Sequence, residues 1–166
     1  MTEVQELVLR ALMIGIGATA VLDLWAVFQA RVLKMPAANF RMLGRWIGHF
    51  PRGQFLHENI ASALPVRDEL AIGWAVHFGV GIVFATLLVA IMGIEWARQP
   101  TFLPALIVGV VTVVAPFFIM QPSMGAGIAA SKTPNPNTAR LRSLVSHTVF
   151  GIGLYVSAVI TVQLLS

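Results

Sequence analysis

Long apolar runs alternate with short polar breaks along this chain, and their lengths decide the fold class. Residues 7–30, 70–94, 101–120 and 143–165 each form a nearly unbroken hydrophobic stretch. At a rise of ~1.5 Å per residue, about 20 residues cross a ~30 Å hydrocarbon core, so each stretch predicts one transmembrane helix. The first is interrupted only by Arg10 near its edge and Asp23 inside it. The third carries no charge but contains Pro104 and Pro116. Pro104 falls in the first turn, where proline is tolerated, whereas Pro116 has no N–H for the carbonyl of Thr112, which predicts a kink over 112–116. Such a break at membrane depth requires protein or water around the released carbonyl.

The only long connection, residues 31–69, holds two helical patterns separated by Pro51-Arg52-Gly53. In residues 39–50, Phe40, Leu43, Trp46, Ile47 and Phe50 share one face, while Arg41, Arg45, His49 and Arg52 follow on another. That pattern predicts a helix lying in the membrane interface. Residues 54–64, with Phe55, Leu56, Asn59, Ile60, Ala63 and Leu64, predict a second surface helix ending at Pro65. The expected architecture is all-α: a single membrane domain, 1–166, with four transmembrane helices and one or two cytoplasmic interfacial helices in the first loop. A signal peptide competes for the first run through Ala18-Thr19-Ala20. Glu3 and Glu6 replace the basic start that reading needs, and the apolar run continues past the site.

Composition strengthens the membrane reading. The chain is 57% hydrophobic and 11% charged, with mean hydropathy +0.82, whereas soluble domains carry about 25% charged residues. It contains no cysteine, which removes disulfides, cysteine zinc sites and thiol nucleophiles. A pI near 10.7 raises nucleic acid as a partner, but the basic residues cluster in two loops beside spans. Arg31, Lys34, Arg41, Arg45, Arg52 and Arg67 lie in the first, and Lys132, Arg140 and Arg142 in the third; only Arg10 and Arg98 fall on the other side. The positive-inside rule accounts for this without a nucleic-acid partner and predicts both termini periplasmic and the two basic loops cytoplasmic. Arg41, Arg45, Arg52, Lys132, Arg140 and Arg142 are then candidates to meet anionic lipid headgroups.

Asp23 requires explanation, because a carboxylate at a helix centre costs about 2.5–3.5 kcal/mol on insertion scales. Gly15, Thr19 and Asp23 recur every fourth residue; so do Gly73, His77, Gly81 and Ala85, and Ser143, His147, Gly151 and Tyr155. Small residues permit close helix approach and polar ones bond across it, so the three stripes are expected to turn toward one another. Asp23, His77, His147, Thr19 and Gln121 form the candidate ion- or substrate-binding set. It can bind a cation, relay a proton or contact a substrate, or the acid can fix helix register through a histidine or Arg31. A narrower reading joins the histidines and Asp23 to Met120 and Met124 around a soft ion such as Cu(I); no cofactor or metal can be named. His77-Phe-Gly-Val-Gly81-Ile82 and His147-Thr-Val-Phe-Gly151-Ile152 share H-x-x-x-G-I, which suggests duplication of a two-helix hairpin.

Other motifs fail. His57-Glu58 has no second histidine at Ala61, so the zinc protease signature is absent. Residues 125–133, GAGIAASKT, lack Walker glycine spacing; with Lys132, Arg140 and Arg142 they remain a candidate phosphate-headgroup turn. No serine has an evident catalytic partner.

The blocks PTFLPALIVGVVTVVAPFFIMQPSMGAGIAASKTPNP and RLRSLVSHTVFGIGLY, with GRWIGHFPRGQFLHENI and ELAIGWAVHF, resemble the bacterial membrane-protein family catalogued as domain of unknown function 2938. The resemblance spans nearly the whole chain and implies a small inner-membrane protein; it implies no reaction, cofactor or site residue. The expectation from the residues is movement or sensing of a small ion, proton or solute through the Asp/His set. The alternative is an accessory or lipid-interacting protein whose polar stripe is structural. Four spans scarcely enclose a solute path, so a homo-oligomer is expected.

Overall fold

The computed structural model describes residues 2–36 and 38–165. It is all-helical, and among the described residues no strand occurs and four helices are long and apolar enough to cross a membrane: Glu3–Arg31, Glu69–Met92, Phe102–Ser123 and Pro136–Leu164. In order, the elements are α1 (Glu3–Arg31), α2 (Phe40–Gly48), α3 (Glu69–Met92), α4 (Ile94–Arg98), α5 (Phe102–Val111), a π-helical turn (Pro116–Met120), α6 (Gln121–Ser123) and α7 (Pro136–Leu164), with short 3-10 turns between them. The exposed side chains of α1 include Val4, Val8, Leu12 and Ile16, and those of α3 include Val80, Val83, Leu87 and Ile91. Apolar stripes on the outside, with Arg10, Thr19, Thr112 and Thr161 buried, are the arrangement a bilayer favours and water does not.

α1 begins with a capping box: the Thr2 side chain accepts from the Gln5 N–H while Gln5 Oε1 accepts from the Thr2 N–H, so two otherwise orphaned donors are satisfied. The third span breaks where proline required it. α5 stops at Val111, and after Pro116 a π-turn lets the Gln121 N–H reach the Pro116 carbonyl five residues back. Removing one N–H from the i→i−4 ladder is met locally by a wider turn. α7 starts at Pro136, earlier than the expected 143, because proline at the first helical position costs no hydrogen bond and the helix outruns the apolar stretch.

The backbone groups into two compact units. The first comprises Met1–Ala37, Phe78–Thr112 and Val145–Ser166. Its core gathers Ile14, Ala18, Leu88, Val89, Phe150 and Leu154, with Trp96 of α4 among them. Small residues set the spacing. A Cβ on Gly15 would lie 2.5 Å from the Ile82 Cα, and one on Gly153 would lie 3.0 Å from the Ala18 carbonyl oxygen. α1 therefore touches α3 and α7 backbone to backbone. At its first turns a network closes the unit: Glu6 takes Arg10 at 2.8 Å and Arg98 at 2.7 Å, while Arg10 Nη1 also donates to the Ala97 carbonyl at 3.1 Å. The carboxylates of Glu6 and Glu95 hold the Arg98 guanidinium above its usual pKa.

The second unit comprises Ala38–His77 and Val113–Leu144. Here α2 crosses the start of α3 at Gly44 and Gly73, where a Cβ on Gly44 would meet the Glu69 carbonyl and stand 2.7 Å from the Gly73 nitrogen. In place of the helix expected over 54–64, the segment is extended, with one 3-10 turn at Ile60–Ser62. Tertiary partners explain this. The N–H groups of His57 and Ile60 donate to the Ser123 and Met124 carbonyls at 2.8 and 3.1 Å, and α2 side chains take carbonyls that a helix would have used internally.

Candidate functional site

In the first unit the polar groups sit on the small-residue stripes. Thr19 is buried and donates its hydroxyl back to the Gly15 carbonyl at 2.8 Å. Its Oγ1 lies where a Cβ on Gly81 would fall, so the α1 and α3 stripes face each other as their spacing predicted. Asp23 stands one turn beyond Thr19 on the α1 stripe and is half-buried.

The α7 stripe turns elsewhere. Gly151 is buried against α5, where a Cβ would lie 3.0 Å from the Leu106 Cα, and the Tyr155 ring meets that of Phe102 at 5.5 Å. A different small-residue row of α7 packs on α1: a Cβ on Gly17 would stand 2.5 Å from Ser157 Oγ. The three stripes thus do not share one centre line. The Gly153-Ser157-Thr161 row carries no ionisable residue to single it out, although its four-residue spacing is readable.

This packing fixes His147. Its Nδ1 lies 3.0 Å from Thr112 Oγ1 and 3.3 Å from the Gly109 carbonyl, and Thr112 Oγ1 donates to that carbonyl at 2.6 Å. The threonine proton is committed to Gly109, so Thr112 must accept from the ring. His147 therefore carries its proton on Nδ1 when neutral, which makes Nε2 the basic nitrogen. Thr112 caps α5, whose ladder ends there; the helix break and the imidazole occupy one place.

In the second unit His77 packs against the rings of Phe40 and Trp74, with centroids at 4.5 and 5.7 Å. Gln121 Nε2 donates to Ser143 Oγ at 3.5 Å, and its Oε1 is buried without a hydrogen-bond partner.

Of the residues expected at lipid headgroups, Arg41, Arg52 and Lys132 are exposed. Arg45 is not. It is buried, pairs through two nitrogens with Glu69 at 2.9 and 3.2 Å, and donates to the Ala61 and Ala63 carbonyls at 3.0 and 3.1 Å. This bonding to Glu69 raises the guanidinium pKa. The Gly44–Gly73 crossing brings this face of α2 onto α3, and spacing along α2 alone could not distinguish it from a lipid-facing one. Arg140 Nε donates to the Ala129 carbonyl at 2.8 Å, clamping a turn in which Ala129 and Ala130 adopt φ of 47° and 59°. Arg142 is half-buried, and its Nε has no partner.

The second unit also joins two histidines that spacing did not connect. His49 Nε2 faces the Leu64 carbonyl at 2.9 Å and must donate; in the neutral ring its Nδ1 therefore accepts from His57 Nε2, also at 2.9 Å. His57 Nδ1 is left as a buried lone pair without a donor. Among the described residues no cluster of three or more His, Cys, Asp or Glu side chains could hold a metal ion.

No curated protein and no solved structure matches the chain. A family model described as "Protein of unknown function (DUF2938)" matches residues 12–161, nearly the whole length, and the chain belongs to that family.

Proposed function

We propose that this membrane protein moves or senses a small ion, foremost a proton, through the intramembrane polar residues of its first unit, His147 on α7 with Asp23 and Thr19 on α1. One observation carries the reading: His147 is locked by Thr112 and Gly109 where the third span loses its helical ladder. Broken helices within membranes recur where ions or substrates bind, because released backbone groups need a polar partner. An imidazole whose Nδ1–H is committed presents Nε2 as a single proton- or cation-accepting atom. The basic loops favour a cytoplasmic orientation for residues 31–69 and 121–142 in an inner membrane.

The test is proton entry into vesicles of phosphatidylethanolamine and phosphatidylglycerol loaded with a pH-sensitive dye and driven by a potassium diffusion potential. Wild-type protein should acidify the lumen well above empty vesicles, and His147→Gln or Asp23→Asn should lower the rate tenfold or more. Wild-type flux at the empty-vesicle level, or unchanged flux in both variants, would overturn the reading.

The rival reading, an accessory or lipid-interacting protein, is favoured by Thr19, whose hydroxyl is turned back onto its own helix in the manner of a packing residue. Under it both substitutions would alter stability and leave flux at background.

A further inference from the structure

Residues 55–64 combine two properties that water does not ask of a loop. Their large side chains point outward: Phe55 is 53%, Leu56 76% and Leu64 75% exposed. Several of their backbone carbonyls are nevertheless taken up by protein side chains. Trp46 Nε1 donates to Phe55 at 2.8 Å, Arg45 Nη1 to Ala61 and Ala63 at 3.0 and 3.1 Å, and His49 Nε2 to Leu64 at 2.9 Å. The Ser62 hydroxyl takes the Asn59 carbonyl at 2.9 Å, and the N–H groups of His57 and Ile60 reach Ser123 and Met124. A solvated loop leaves such groups to water; irregular backbone in contact with lipid cannot. Three buried side chains, Arg45 and Trp46 of α2 and His49 at its C-cap, are spent on this task, although their helix could have presented them to solvent.

We infer that residues 55–64 form a non-helical interfacial anchor whose Phe55, Leu56 and Leu64 insert into the boundary between headgroups and acyl chains of the bilayer. The remaining surface fits that depth. Arg52 and Arg41 are exposed beside the segment and suit anionic phosphates, while Glu58 and Asn59, also exposed, belong at headgroup level. After the exposed charged pair Arg67 and Asp68 the chain enters α3, whose first turns again expose apolar side chains, Leu70 and Trp74. The membrane-seated element of this region is thus the loop, and α2 is its internal scaffold.

The cysteine-free sequence makes the test direct. Single variants Leu56→Cys and Leu64→Cys, with Arg67→Cys as reference because that side chain is 95% exposed, are labelled with a nitrobenzoxadiazole fluorophore. They are reconstituted in vesicles of phosphatidylcholine and phosphatidylglycerol, and circular dichroism verifies the fold. Lipids spin-labelled near the top of the acyl chain should quench positions 56 and 64 severalfold more than 67, and aqueous iodide should quench them severalfold less. Iodide quenching equal to that at 67 would overturn the inference by placing the loop in water. Shielding from both quenchers would also overturn it, since a protein and not lipid would then cover the segment.

Discussion

Gly109→Ala probes the contact that holds His147 in place. A Cβ at this position would lie 2.5 Å from the Gly151 nitrogen, closer still to the Gly151 Cα, and 3.0 Å from the His147 carbonyl oxygen. All three are backbone atoms and cannot rotate away. Ordinary separations of ~3.5 Å require α5 and α7 to part by about 1 Å, and a gap of that size forfeits about a quarter to a half of each dispersion well. Overpacking of this kind costs about 1–3 kcal/mol. The same displacement stretches the 3.0 Å Thr112–His147 bond beyond hydrogen-bonding range, a further ~0.6 kcal/mol in a membrane helix bundle. Replacing helical glycine returns up to ~1 kcal/mol, leaving a net loss of about 1–3 kcal/mol. The control is Gly79→Ala, where nothing lies within 4 Å of the added atom and only the propensity gain remains. Unfolding in mixed detergent micelles with increasing dodecyl sulfate, followed by helical circular dichroism, reads both. Equal midpoints for the two variants would refute the backbone-contact argument.

Other outcomes follow from single groups. Thr112→Val keeps the shape and removes the hydroxyl, so it should cost about 0.6–1.7 kcal/mol in the same assay and lower proton flux with His147→Gln. Arg45→Met should lower the thermal midpoint and open residues 54–64 to protease, while Arg41→Met, whose side chain is 57% exposed, should do neither; equal cleavage in both would contradict the scaffold role of α2. Because Glu69 raises the Arg45 pKa and Arg45 lowers that of Glu69, the contribution of this pair is complete between the ordinary carboxylate and guanidinium ranges and is lost as pH falls through the lowered Glu69 value or rises past the raised Arg45 value. Wild-type protein should therefore retain protease resistance of residues 54–64 at pH ~10. Ala129→Gly should stabilise the protein by about 1 kcal/mol, since left-handed φ penalises a Cβ, as a rise in midpoint would register.

The spans were legible because bilayer thickness acts on each stretch of chain by itself, and the broken third helix because Pro116 lacks a donor wherever it sits. What escaped depends on partners distant in sequence. Residues 54–64 carry a helical pattern, yet their backbone goes to Trp46, Arg45, His49, Ser123 and Met124, none of which a local window contains. Arg45 and Arg41 lie on one arginine-bearing face, and only the Gly44–Gly73 crossing makes one internal and the other external. His147 was singled out by its depth and its glycine neighbour, but Thr112 was known only as the start of a kink, since nothing in either residue names the other. The His49–His57 pair joins the end of a helix to an extended strand of chain, a geometry without a spacing rule.

The central claim is that the interrupted third span fixes His147 with its proton on Nδ1 and its basic Nε2 available inside the membrane. Nitrogen-15 solid-state NMR of histidine-labelled protein in lipid bilayers at neutral pH, with His147→Gln to assign the resonance, measures this on the two ring atoms themselves. The account predicts a protonated Nδ1 and an unprotonated Nε2, reversed or averaged in Thr112→Val. A proton fixed on Nε2 in the wild-type protein, or a His147 resonance unmoved by loss of the Thr112 hydroxyl, would contradict it.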